Sequence, residues 1–88
     1  MVIKFSARYK LELRSVYDFI AKDSPDRAGE FCELVTKKLD NLLVFPHVGR
    51  MRADGAREFI FRGYVVPYLV ENDEIIVLGI YKSNQWKY

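Results

Sequence analysis

The chain has 88 residues, half of them hydrophobic, and a net charge of +2 at pH 7. That length suits one domain over residues 1–88, with a small core of marginal stability to which a bound partner would add. No apolar run nears the roughly 18 residues of a membrane span, the opening MVIKFSARYK lacks the apolar stretch of a signal peptide, and a lone Cys32 excludes an internal disulfide or a cysteine metal cluster. A cytoplasmic setting is expected, with no metal or other cofactor.

Val2–Phe5 is short and β-prone and predicts a first strand. Ser6 then suits the cap of a helix in which Tyr9, Leu13, Val16, Tyr17 and Ile20 share one face. That helix should end near Lys22. Ser24-Pro25-Asp26 starts another: serine caps, proline is pre-set for the first turn, and aspartate suits the positive end of the helix dipole. Its apolar face carries Ala28, Phe31, Cys32, Val35, Leu39 and Leu42, so Cys32 reads as a buried structural thiol. The helix should run to about Leu43, and Pro46 stops it. So short a loop between two helices predicts an antiparallel hairpin.

Next comes FPHVGRMRADGAREF, residues 45–59, which holds three arginines and the only histidine, His47. Gly49 permits an unusual turn before Arg50. A loop arginine here can bond the last free carbonyls of a helix or meet a carboxylate or phosphate outside. With Arg62, this locally basic stretch can also steer an acidic partner on an otherwise near-neutral protein.

From Arg57 the period becomes strand-like. Glu58–Phe61, Tyr64–Val70 and Ile75–Tyr81 are β-prone runs, broken at Arg62-Gly63 and Asn72-Asp73, which predicts an antiparallel meander. Pro67 cannot donate to a ladder, so a bulge or an outward-facing position is expected there. The fold class is α+β, in the order β-α-α-β-β-β, with the helical hairpin on one face of a four-stranded, mainly antiparallel sheet. The other face should carry part of the tyrosine and arginine set.

The opening strand with Leu13 and Tyr17–Ile20, then Ser24-Pro25, Ala28 and Phe31, then Leu42 and Pro46-His47-Val48-Gly49-Arg50, then Arg57-Glu58, Tyr64, Tyr68, Ile75–Ile80 and Trp86 follow one another at particular spacings. Together they resemble the RelE/ParE family of toxins from bacterial type II toxin–antitoxin modules, over nearly the whole chain. The resemblance implies the same strand–helix–helix–meander fold and a toxin held inactive, as a hetero-oligomer, by a cognate antitoxin. Such modules act in plasmid maintenance and stress responses.

The family divides by target. RelE-like members are ribosome-dependent endoribonucleases that cut mRNA, and ParE-like members poison DNA gyrase. Metal-free RNA cleavage needs a base for the ribose hydroxyl and cations for the phosphate. The nucleases usually carry an arginine just after the tyrosine that opens the middle meander strand, where this chain has Val65. His47 matches no usual base position. A nuclease would have to use Arg57, Arg62, Tyr81 and Tyr88. The missing arginine favours the ParE-like branch, in which a protein-binding toxin inhibits gyrase. The resemblance then points to the C-terminal YKSNQWKY, with Tyr81, Lys82, Trp86 and Lys87, and to Arg57, as target-binding residues; Trp86 could equally cover the end of the core. Tyr9, Leu13, Tyr17, Phe31 and Val35 are the candidates to anchor the antitoxin, against ordinary core packing. Pro46, Gly49 and Arg50 are expected to shape the loop. A non-toxic relative that only binds its antitoxin remains a third reading.

Overall fold

The computed structural model describes residues 1–83. The elements are β1 (Val2–Phe5), α1 (Ala7–Ala21), α2 (Pro25–Asp40), a 3-10 turn (Asn41–Leu43), β2 (Arg50–Met51), β3 (Arg57–Phe61), β4 (Tyr64–Glu71), β5 (Glu74–Val77) and β6 (Tyr81–Lys82). The sheet runs β1-β5-β4-β3-β2, with β6 also paired to β4. The α+β architecture is the expected one, but the sheet has six strands instead of four. The additions, β2 and β6, are two residues each. Only β1 is parallel to its neighbour, β5, because α1 and α2 carry the chain across before the meander begins.

Both helices start on serines. The Ser6 hydroxyl accepts from the Tyr9 amide at 3.0 Å and that of Ser24 from the Arg27 amide at 3.2 Å. Pro25 opens α2, and Lys37 and Lys38 close it against the negative dipole end. The α-helix stops at Asp40, earlier than expected; the 3-10 turn finishes the run and still buries Leu42.

The hairpin packs on one face of the sheet. Val35, Leu39 and Leu42 meet Val66, Tyr68, Ile75 and Val77 in a single buried cluster. The Phe31 ring lies 5.5 Å from that of Phe61 and 5.2 Å from that of Tyr64. Cys32 departs from expectation. It sits at the margin of the α2 stripe and is half-buried, with enough burial to push its thiol pKa up.

Arg62 and Gly63 both have positive φ, 52° and 85°, the mirror-image turn whose twist matches a tight hairpin. The register that follows explains Pro67. Phe61 opposite Tyr64 closes the turn, so Arg57, Phe59 and Phe61 exchange hydrogen bonds with β4, and Pro67 opposite Glu58 falls at a non-bonded pair. Its missing N–H therefore faces the β5 side, and there the expected single run Ile75–Tyr81 breaks into β5 and β6. The Leu78 amide still donates to the Pro67 carbonyl at 2.9 Å. The Leu78 carbonyl, left without the return bond, accepts from the Ser6 hydroxyl at 3.0 Å. Pro67 is thus buried at a strand interruption, not turned outward. The same break is fixed by Glu12, whose carboxylate accepts from the Ile80 amide at 2.9 Å.

Candidate functional site

Two places collect the residues singled out above: the connection from α2 to β3, and the end of the sheet at β6. In the connection, the Tyr68 hydroxyl accepts from the Gly49 amide at 2.9 Å and donates to the Pro46 carbonyl at 3.0 Å. Burial pushes the Tyr68 phenol pKa up, opposed by the Gly49 hydrogen bond and the Arg57 charge. Gly49 is needed for close approach: a Cβ there would lie 2.5 Å from the Tyr68 hydroxyl and 2.8 Å from the Glu58 carbonyl oxygen. Arg57 donates from one Nη1 to the His47 carbonyl at 3.1 Å and the Gly49 carbonyl at 2.8 Å. Pro46, Gly49 and Arg57 therefore form one knot around Tyr68.

Arg50 does not bond the helix-end carbonyls. Its guanidinium lies on the open face of the sheet and meets the Glu58 carboxylate at 2.7 Å. Arg52 reaches the same carboxylate at 3.6 Å and Asp54 at 3.2 Å. Glu58 is buried, and the two arginines hold it there. Arg57, expected to face a target, is the residue that ties the loop.

The end of the sheet is different. Tyr81 stands opposite Val65 and Lys82 opposite Tyr64, with the Lys82 ammonium 5.1 Å from the Tyr64 ring centre. Tyr81 and Lys82 border a groove against α1, floored by Val16, Tyr64 and Ile80 and flanked by the exposed Phe19. Trp86, Lys87 and Tyr88 lie outside the described residues.

Among the described residues, the nuclease candidates Arg57, Arg62 and Tyr81 are not brought together. Arg57 shares a face with its partner Tyr68, on the helix side, whereas Tyr81 shares the opposite face with Val65. Arg62 sits at the far end of β3 from Arg57, about 17 Å along the strand, with its guanidinium 5.4 Å from the Phe61 ring centre. Val65 is buried on the open face where the nucleases would carry arginine.

Of the residues expected to anchor an antitoxin, Tyr9, Phe31 and Val35 are packed between hairpin and sheet, and Leu13 and Tyr17 are half-buried at its margin. Other large apolar side chains are exposed, among them Leu11 and Phe19 on α1, and Val44, Phe45, Val48 and Ile60 on and beside the α2–β3 connection.

A family profile described as "ParE toxin of type II toxin-antitoxin system, parDE" matches residues 3–85. The chain belongs to this ParE toxin family. A Sinorhizobium fredii (strain NBRC 101917 / NGR234) protein named "Putative toxin Y4kP" is 28% identical over 87 residues, covering 96% of this chain and 91% of the relative. Among solved structures, "Chromosomal ParDE TA system from P. aeruginosa" superposes with a TM-score of 0.80 at 20% identity, over 93% of this chain and 95% of the other. That likeness is one of fold. The ParE assignment agrees with Val65 standing where a RelE-like nuclease would place arginine, and it makes the chain a toxin of the ParDE type.

Proposed function

We propose that this ParE-family toxin acts in the cytoplasm by binding DNA gyrase, that a cognate antitoxin neutralises it in a hetero-oligomer, and that the pair serves plasmid stabilisation or growth control. The observation that carries a binding mechanism over RNA cleavage is the separation of Arg57, Arg62 and Tyr81. Acid–base cleavage needs those groups within hydrogen-bond reach of one ribose and phosphate, and here they occupy two faces and two ends of the sheet. Tyr81, Lys82 and the groove beside Phe19 offer aromatic and cationic surface for a protein target. Trp86 and Lys87 follow after Ser83, Asn84 and Gln85 in sequence and extend that reading.

Arg57 contributes indirectly, by holding the loop. Leu13 and Tyr17, at the margin of the hairpin, remain available to an antitoxin segment, whereas Tyr9, Phe31 and Val35 support that surface from beneath.

Pulse labelling after induction of the chain in bacteria separates the targets. Thymidine incorporation is expected to fall first while amino-acid incorporation continues, and Lys82→Glu is expected to relieve the arrest. Protein synthesis stopping first, with DNA synthesis intact, would refute the gyrase reading and return attention to Arg62 and Tyr81.

A further inference from the structure

Between β5 and β6 the chain carries one more residue than the strand it faces. Tyr68 stands opposite Val77, and Val65 opposite Tyr81. Val66 and Pro67 therefore face three residues, Leu78, Gly79 and Ile80, which makes a bulge. A one-residue shift of register turns every later side chain to the other face of a sheet. Continued one-for-one from Val77, the ladder would set Ile80 opposite Val65 and Tyr81 opposite Tyr64. Tyr81 would then point at the helices and Ile80 away from them. The bulge reverses this. Ile80 is buried, Tyr81 shares the open face with Val65, and Lys82 stands opposite Tyr64 with its ammonium against that ring.

The bulge is held from α1. The Leu78 amide donates to the Pro67 carbonyl, but the Ile80 amide donates to Glu12 Oε1 at 2.9 Å. Arg8 holds Glu12 Oε2 at 3.0 Å and so steadies the carboxylate. Gly79 leaves room for it: a Cβ there would lie 2.5 Å from Glu12 Oε1. Burial of the Ile80 side chain favours the same register but does nothing for its amide, and a part-buried donor left unpaired is costly. The contact falls at the change of register along β4, one residue before Tyr81.

We propose that Glu12 is a positioning residue for the target-binding end of the sheet. By accepting from the Ile80 amide it fixes the bulge, and the bulge sets Tyr81 and Lys82 at the border of the groove beside Phe19. The role in target binding rests on the reading of Tyr81 and Lys82 given above; the control of register rests on the contacts alone.

The test follows β6 and toxicity together. The Ser83 amide, bonded to the Gly63 carbonyl at 2.8 Å, reports on β6, and the amide of the buried Val66 reports on unfolding of the whole chain. Glu12→Ala is expected to speed Ser83 exchange about tenfold relative to Val66 and to weaken growth arrest on induction. Glu12→Gln keeps an oxygen acceptor of the same reach and should hold both readouts near those of the parent. Gly79→Ala should act as Glu12→Ala does, by displacing the carboxylate, and should add nothing in the Glu12→Ala background. Unchanged Ser83 exchange in Glu12→Ala would overturn the control of register. So would equal damage from Glu12→Gln, or a full further effect of Gly79→Ala in the double variant. A loosened β6 with undiminished arrest would overturn the role in target binding, and Lys82→Glu then tells which premise failed. If Lys82→Glu relieves the arrest, the target surface stands and Glu12 does not position it. If the arrest persists, the reading of Tyr81 and Lys82 falls as well. A parent that does not arrest growth loses the toxin reading, while the exchange ratios still decide the control of register.

Discussion

The inner and outer sides of the α2–β3 connection make opposite use of one stretch of sequence. Inside, the Gly49 amide and the Pro46 carbonyl are paired with the Tyr68 hydroxyl, and one nitrogen of Arg57 holds the Gly49 carbonyl. Outside, Phe45, Val48 and Ile60 are apolar and exposed. The arginine expected to face a target ties down the loop, and the apolar residues beside it face out. Residue type alone therefore misleads here. A cation already tied to its own backbone is held away from a partner, whereas an uncovered apolar wall gains from any partner that removes it from water.

That contrast predicts an ordered series of effects on stability. Gly49→Ala should be the most damaging, since its Cβ would meet the Tyr68 hydroxyl and the rigid Glu58 carbonyl. A loss of about 3 kcal/mol, on the order of 15 °C in Tm, is expected by calorimetry. A variant melting like the parent would mean that the knot relaxes freely. Tyr68→Phe should cost less, about 2 kcal/mol, by leaving the buried Gly49 amide without an acceptor. Arg57→Met should cost about 1 kcal/mol, because two carbonyls lose a charged donor but one of them sits near solvent. Phe45→Ser and Val48→Ser, across the same backbone, should shift stability by less than about 0.5 kcal/mol. Denaturant melts that ranked Phe45→Ser alongside Tyr68→Phe would erase the distinction between the two sides.

Much of the fold was legible because its signals are local. Ser6, Ser24-Pro25 and Pro46 punctuate the helices, and Arg62-Gly63 and Asn72-Asp73 separate the β-prone runs. The two short strands were not legible: a two-residue bridge has no period, and β2 and β6 exist only because β3 and β4 are there to pair with. Pro67 announced an irregularity, but the exchange by which Ser6 bonds the Leu78 carbonyl joins residues at opposite ends of the chain. The site was less legible for the same reason. Tyr68 and Gly49 are separated by 19 positions, and no spacing rule links them. The exposed apolar side of the connection had one readable sign: Leu42-Leu43-Val44-Phe45 is a longer apolar run than one helix face can bury.

The one effect expected to have the opposite sign concerns a second buried phenol and sharpens the comparison most. Tyr68 has two hydrogen-bond partners, but the Tyr9 hydroxyl is buried with none among the described residues. Removing a hydroxyl that bonds nothing abolishes a desolvation penalty and leaves no orphan behind. Tyr9→Phe should therefore leave stability unchanged at neutral pH or raise it by up to about 1 kcal/mol, the reverse of Tyr68→Phe. Alkaline conditions separate them again. Burial, with a smaller contribution from Cys32, pushes the Tyr9 pKa from 10.0 to about 12. The folded state thus keeps its proton after the unfolded state has lost it. Whatever stability Tyr9 contributes is complete below pH 10 and is lost as pH rises towards 12. Tyr64 and Tyr68 are also raised by burial, so the parent and Tyr9→Phe should both weaken in base. The parent should weaken more steeply, and urea midpoints measured across that interval would reveal the difference. Parallel pH profiles would mean that the Tyr9 hydroxyl reaches water in solution, and the gain at neutral pH should then vanish as well.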